Sequence, residues 1–422
     1  MKSLQSVFGE IDASRDEIIR TAVELVGYPA LAPINGGTGE GAKADYIVSK
    51  LEGFDSIERI EFPDRTDPSV MRPNIIARKK GKGKGTLWIV SHMDVVPTGD
   101  PELWDTPPFK GVYRDGRIYG RGTEDNGQSV VASMFAAKPF LKEEFEGMSL
   151  ALAYVADEET SSVLGIQSLL DKGLFSEDDA IMVPDWGSPG GTMIGLAEKS
   201  VLWLRFVIEG RTTHGSTPEL GVNAYRVSTL LLMDLMESLP EKFGGRDDRF
   251  LNSVSTFEPT KRPATVDNVN TIPGHDEFCM DIRLLPMYDP DDVLREAEAI
   301  AECYAKDTGA EIRVEVIQKA VAGRPSPDDR EEFTALAESV EEVTGVKPRG
   351  VGMSGGTCAN FFRLRGLDAY VWQSEGGTLH APNEYVTVDH LLTDAKVYAS
   401  LIRRLCVTRR RRVSGSSTRC RT

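Results

Sequence analysis

Short unbroken apolar runs punctuate the first half of the chain. Residues 86–90 (TLWIV), 149–156 (SLALAYVA) and 180–183 (AIMV) have the character of strands buried on both faces. Between them, polar and apolar positions recur at helical spacing. The pattern predicts helices over residues 16–26, with Gly27 as a stop, and over 42–51, 126–141 and 163–170. Buried strands alternating with helices specify an α/β domain, a mostly parallel sheet with helices on both faces.

The pattern changes near Ser200. VLWLRFVIEG, EFCMDIRLLP and AEIRVEVIQ are longer, partly alternating runs, and two amphipathic stretches, residues 224–239 and 291–308, lie among them. Strand and helix in this order predict a smaller α+β domain inserted into the first. The expected division is 1–196 for the first part of the catalytic domain, 197–319 for the insert, 320–405 for the second part and 406–422 for a basic disordered tail. The lysine-rich RKKGKGKG before Thr86 reads as a solvated hairpin tip. There is no internal repeat.

Composition narrows the function classes. A chain of 422 residues is too long for one ordinary core. Its apolar runs fall short of the roughly 18 to 20 residues a membrane helix needs, and its first residues lack the apolar segment of a secretory signal, so a cytoplasmic protein is expected. Five scattered cysteines, none in a CxxC spacing, argue against a disulfide framework or a zinc knuckle. A net charge of −16 disfavours nucleic acid and anionic membrane as partners. The C-terminus runs the other way, with eight arginines and no acid from Arg403 onward. The tail reads as a solvated appendage, with nucleic-acid contact as the alternative.

The chemistry lies in where potential ligands fall. His92 and Asp94 follow TLWIV, Asp157, Glu158 and Glu159 follow SLALAYVA, and Asp185 follows AIMV. In open α/β sheets the ligand crevice lies beyond the carboxyl ends of the strands, so three strands deliver imidazole and carboxylates to one rim. Each taken singly has a structural reading, because acids after strands commonly cap the next helix. Asp94 suits the task of fixing the second nitrogen of a metal-bound His92. Asp125, in the glycine-rich GRIYGRGTEDNGQ, is either a helix N-cap or a carboxylate bridging two metals, and Gly120, Gly122 and Gly127 allow close approach there. Adjacent acids repel unless one meets a cation, which casts Glu159 as a ligand and Glu158 as a free general base. His380, in the polar loop TLHAPNEYV, is a further ligand. His390 reads as a helix-start or surface residue, His275 as a solvated turn residue, and His214 locally as a loop histidine. Imidazole and carboxylate donors suit zinc, with cobalt or manganese as substitutes.

Together these residues resemble the di-zinc aminoacylase and carboxypeptidase family, which includes succinyl-diaminopimelate desuccinylase, acetylornithine deacetylase, glutamate carboxypeptidase and several dipeptidases. SHMDVVP, YGRGTEDNGQ, ADEET, the Asp185 strand end, GRTTHGSTPE, MSGGT and LHAPNEYV occur in the family's order across most of the chain. The resemblance implies two divalent metals, one held by His92 and Asp185 and the other by Glu159 and His380. Asp125 would bridge them, with a cis peptide to Asn126. It further implies that the inserted α+β domain is a lid and dimerisation domain, that Asp94 orients His92, that Glu158 is the base, and that His214 is a lid histidine, in dimeric members supplied by the second subunit. Asn268 and Arg283 match positions that contact the substrate carboxylate, and Gly355 and Gly356 match a glycine loop lining the pocket. Family members often place an acid just after the threonine of that loop, whereas here Cys358 follows Thr357. The arginine tail has no counterpart. The expected activity is amide hydrolysis of a small carboxylate-bearing substrate, an N-acyl amino acid or else a dipeptide or carboxypeptidase substrate. A catalytically silent relative is the remote alternative, opposed by the intact base and ligand set.

Overall fold

In the computed structural model, which describes residues 2–264, 266 and 268–408, eight strands form one sheet. Their order is Ser56–Pro63, Met71–Lys79, Ser149–Val155, Thr86–His92, Ala180–Ser188, Ala369–Ser374, Met193–Glu198 and Arg349–Met353. The four central strands, from Ser149–Val155 to Ala369–Ser374, run parallel. Their apolar runs are unbroken because both faces are covered. Leu87 and Ile89 enter a core with the helices Leu4–Ala13, Arg15–Val26, Gly41–Lys50, Gln128–Ala137, Glu331–Thr344 and Val388–Ile402. Trp88 and Val90 point the other way, into a smaller core with Ile166, Leu169 and Phe362. No helix among the described residues is long and apolar enough to cross a membrane.

A second, antiparallel sheet runs in the order Thr256–Lys261, His275–Leu284, Ser200–Glu209 and Glu311–Ala320. Along His275–Leu284 burial alternates strictly. Phe278, Met280, Ile282 and Leu284 face the helices Ala224–Lys242 and Pro290–Thr308 and share a core with them. The opposite face carries Glu277, Asp281 and Arg283, and the edge strand Glu311–Ala320 is largely exposed.

Four expectations change. Residues 197 and 198 belong to Met193–Glu198 of the large sheet rather than to the insert, and Ala320 still pairs with Val201 in the small one. RKKGKGKG is not a hairpin tip, because Ser149–Val155 lies between the strands it joins. Lys82 instead pairs with Glu144 and Glu146, and Lys84 with Asp178. Cys406 and Val407 are buried in the core and so are not part of a tail. The expected basic segment from residue 409 lies outside the described residues. Finally, His275 begins a strand and faces Glu209 at 3.0 Å instead of lying in a turn.

Candidate metal centre and active site

Three parallel strands bring their carboxyl ends to one rim. His92 ends Thr86–His92, level with Val155, and Asp157–Glu159 follow directly beyond Val155. Asp185 lies within the adjacent Ala180–Ser188. Asp125 comes from the turn Thr123–Gly127, which leads into Gln128–Ala137. Gly122 there has φ 79°, and a Cβ on Gly127 would meet the Gly122 carbonyl oxygen at 2.4 Å, so glycine is required at both positions. The peptide between Asp125 and Asn126 is cis. Asp125 is no N-cap, since the helix has no side-chain cap.

The Asp125 carboxylate lies instead between two imidazoles. Its Oδ1 is 2.8 Å from His92 Nε2 and its Oδ2 is 3.0 Å from His380 Nε2. His92 Nε2 also meets Asp185 Oδ1 at 3.2 Å, and His380 Nε2 meets Glu159 Oε2 at 3.2 Å. Two ligand groups result, His92–Asp125–Asp185 and Asp125–Glu159–His380, each with donor atoms within 4.8 Å of one another. Without a metal, the imidazoles carry the positive charge. Hydrogen bonds to Asp125 and Glu159 raise His380 to about 10. Burial opposes charge on His92, yet Asp185 and Asp125 outweigh it and hold His92 well above its ordinary value. Burial and the Asp125 charge push Glu159 up to about 7. Asp185 is raised, mainly by burial. Each imidazole thus offers a nitrogen to two carboxylates at once, and the cluster is short of positive charge. This donor set fits divalent cations.

Glu158 stands beside the ligands without being one. Burial, then the Asp185 charge, raises its carboxyl well above the ordinary range. Among the described residues no hydrogen bond engages that carboxylate. Asp94 holds His92 more closely through its backbone than through its carboxylate. His92 Nδ1–H donates to the Asp94 backbone carbonyl at 3.0 Å, while the Asp94 carboxylate lies 3.6 Å away. That carboxylate instead accepts from the backbone N–H groups of Glu158 and Glu159, both at 3.0 Å.

Several supporting residues escaped sequence reasoning. Asn126 donates to Asp185 Oδ1 at 2.9 Å. Buried Lys43 donates to the Met93 carbonyl at 2.8 Å, and its pKa falls to about 8, chiefly by burial. Arg72, wholly buried, pairs with Glu40 and Asp64 and lies 3.6 Å from Asp157. Glu124 and Glu384 hold the Asp125 turn and the His380 loop. Asn126, Glu124 and Glu384 lie within the motifs, whereas nothing local flags Lys43 and Arg72, whose partners are remote in sequence.

The remaining expected residues belong to neither ligand group. His214 is exposed on the two-residue strand Thr213–His214, bonded to Ser216 Oγ at 2.7 Å. It pairs across to Thr271, next to the turn carrying exposed Asn268. Arg283 makes a two-pronged pair with Asp281, at 2.7 and 3.0 Å. Gly355 and Gly356 are exposed, and the following Thr357 is anchored on Glu198. Cys358 is buried; burial first, then the charge of Glu158, holds its thiol well above the ordinary value. His390 lies in the first turn of Val388–Ile402, partly buried.

A family model describing peptidase family M20/M25/M40 matches residues 88–404, most of the chain. The chain belongs to that family. The M20 assignment makes it a metal-dependent hydrolase acting on amide bonds. An uncharacterized metallohydrolase of Methanococcus maripaludis is 35% identical over 92% of this chain and 99% of its own. A succinyl-diaminopimelate desuccinylase of Parvibaculum lavamentivorans is 27% identical, covering 93% of this chain and 96% of its own. The fold matches that of a dipeptidase of Saccharomyces cerevisiae with a TM-score of 0.71 at 18% identity, over 95% of this chain and 98% of that one.

Proposed function

We propose that the protein is a two-metal deacylase that hydrolyses the amide bond of a small N-acyl amino acid, desuccinylation included. One observation carries the reading: a single carboxylate, Asp125, is common to two ligand groups, and the Glu158 carboxylate, without a hydrogen bond among the described residues, stands beside them. The full-length likeness to a desuccinylase supports the substrate class.

His92 and Asp185 would hold one cation and Glu159 and His380 the other, with Asp125 shared; zinc suits the donors, and cobalt or manganese would substitute. Such cations supply polarisation of a carbonyl and a nucleophilic water near neutral pH. Glu158 takes the proton of the attacking water as the new C–O bond forms. It returns that proton to the leaving nitrogen as the C–N bond breaks, a role worth about 10² to 10⁴ in rate.

His214 would stabilise the developing oxyanion from a second copy of the chain, since in its own chain it is exposed and bonded only locally. A homodimer through the insert is supported by exposed Leu230, Met233 and Met236 on Ala224–Lys242 and by the uncovered edge strand Glu311–Ala320. Arg283, with Asn268, would read the substrate carboxylate, exchanging the half-exposed Asp281 for it, while Gly355 and Gly356 line the pocket.

The test is a hydrolysis screen of the zinc- or cobalt-loaded protein on N-succinyl, N-acetyl and N-carbamoyl amino acids and on dipeptides. Turnover on an N-acyl amino acid supports the reading. Turnover on dipeptides alone replaces it with a dipeptidase, and metal binding without any turnover makes the chain a silent relative.

A further inference from the structure

The two loops that carry Asp125 and His380 hold each other by their backbones. Glu384, buried and four residues beyond His380, accepts from the backbone N–H of Gly122 at 2.9 Å, Glu124 at 2.9 Å and Asp125 at 3.0 Å. Arg121 donates to the same carboxylate at 2.7 Å and to the His380 carbonyl at 3.2 Å. In return Glu124, next to Asp125, accepts from the N–H of Gly376, of Gly377 at 3.1 Å and of Thr378 at 2.7 Å, and from the Thr378 hydroxyl. We propose that Glu124 and Glu384 are positioning residues, and that Glu124 sets how tightly the Glu159–His380 half of the centre holds its cation.

The two halves differ in support. His92 and Asp185 stand on buried central strands, and Asn126 adds a hydrogen bond to Asp185. His380 sits in a segment without helix or strand, at φ 60°, with its side chain half exposed. Beyond His380 the segment is tied by Arg121 to its carbonyl and by Asn383 to Asp105 and Leu103, and before His380 residues 376–378 are held by N–H groups converging on Glu124. Three amides and a hydroxyl need an acceptor with two oxygens and about four lone-pair sites, which a carboxylate supplies and a hydroxyl or an alkyl side chain does not. Loss of Glu124 therefore frees the His380 loop on the side of residues 376–378 while leaving the strand-borne ligands in place. A purely structural acid would instead lower stability and weaken both halves alike.

The inference rests on the two-metal reading, and one experiment separates them. Chelator-treated full-length protein is titrated calorimetrically with zinc, and Glu159→Gln identifies which binding step belongs to the His380 half. Glu124→Ala should weaken that step by about 10- to 100-fold and leave the other unchanged. Glu124→Gln, which keeps one acceptor oxygen, should lose less. Thr378→Val, which removes the hydroxyl donor to Glu124 and the acceptor of the Tyr385 N–H but keeps the three amides, should also lose less, and these two carry the test if the alanine variant does not fold. An unchanged His380-half step in these variants, or equal weakening of both steps, overturns the inference alone. Uptake of fewer than two cations by the wild-type protein at saturation overturns the two-metal reading and the inference with it.

Discussion

Replacing Arg72 by methionine removes the one guanidinium around which the acids behind the Asp157–Glu159 loop are arranged. Arg72 donates to Glu40 through two nitrogens, one at 2.7 Å, and to Asp64 at 2.7 Å. Glu40 also accepts from the backbone N–H of Asp157 at 3.3 Å, so the cluster supports the loop that presents Glu158 and Glu159. Breaking a buried ion pair by removing one partner costs about 3–5 kcal/mol, because the other charge stays buried. Glu40 bears most of that loss, being fully inaccessible. Asp64 keeps hydrogen bonds from the Thr66 N–H and hydroxyl and the Asp67 N–H. Urea denaturation should therefore show a loss of about 3–5 kcal/mol near pH 7, and Arg72→Met/Glu40→Met should recover much of it. The pH dependence has a definite sign. Burial already raises Glu40, with Arg72 opposing, so removing Arg72 raises it further. A carboxyl raised by folding favours the folded state below its unfolded pKa and loses that advantage as pH climbs through the folded value. Asp64 is lowered, Thr66 and Arg72 outweighing burial, so the stability it gives exists above its unfolded pKa and fades in acid. The Glu40 term makes the deficit of the variant widen as pH rises and shrink toward pH 4, and the Asp64 term shrinks it further only below that. A loss below about 1 kcal/mol, the size of a surface pair, would refute this reasoning. So would a deficit that stays constant from about pH 4 to 8.

The centre itself yields further expectations. Because His380 sits at about 10 without metal, a cation must expel its proton at neutral pH. Zinc titrations in buffers of differing ionisation enthalpy should register proton release, with affinity rising with pH, and chelation should abolish turnover. Glu158→Gln should retain metal and lose at least about 10² in kcat, whereas Glu159→Gln should lose metal; the opposite pattern would reverse their roles. Mixing His214→Ala with Glu158→Gln subunits should regenerate some activity, and properly exchanged heterodimers without any would rule out action across the interface. Arg283→Lys should lower kcat/KM on free-acid substrates by about 2 to 5 kcal/mol equivalent and far less on the corresponding amides. Equal losses would leave Arg283 as the partner of Asp281.

What could be read from the chain divides along a physical line. Central parallel strands are covered on both faces, so TLWIV and SLALAYVA appear as plain apolar runs, and the ligands after them fall at the predicted rim. The outer strands Ser56–Pro63 and Met71–Lys79 give no such signal. The first is mostly exposed, and the second buries Arg72 and Asn74 inside what looks like a polar loop. Leu4–Ala13 escaped for a related reason, since only Val7 and Ile11 of its residues are buried. Local chemistry was legible at Asp125 and His380 because glycine and proline mark unusual backbone there. Pairings such as Glu124 with Gly376–Thr378 were not, because sequence distance hides which amides a carboxylate will meet.

The charges around the centre form two shells with different tasks, and this explains why so many acids can crowd one rim. The outer acids act on backbone N–H groups: Asp94 on Glu158 and Glu159, Glu384 on the Asp125 turn, and Glu40 on Asp157. Each has a cation of the chain beside it. Arg121 pairs with Glu384, Arg72 pairs with Glu40, and the Lys43 ammonium acts on Asp94. Among the described residues no lysine or arginine pairs with Asp125, Glu158, Glu159 or Asp185, whose only positive neighbours are His92 and His380. Fixed cations thus stand beside Asp94, Glu384 and Glu40 and stop short of the acids the loops present. The uncompensated charge is left where imidazoles, which can give up a proton, are the only counterions. That distribution lets an external cation bind in exchange for protons without disturbing the anchors behind it.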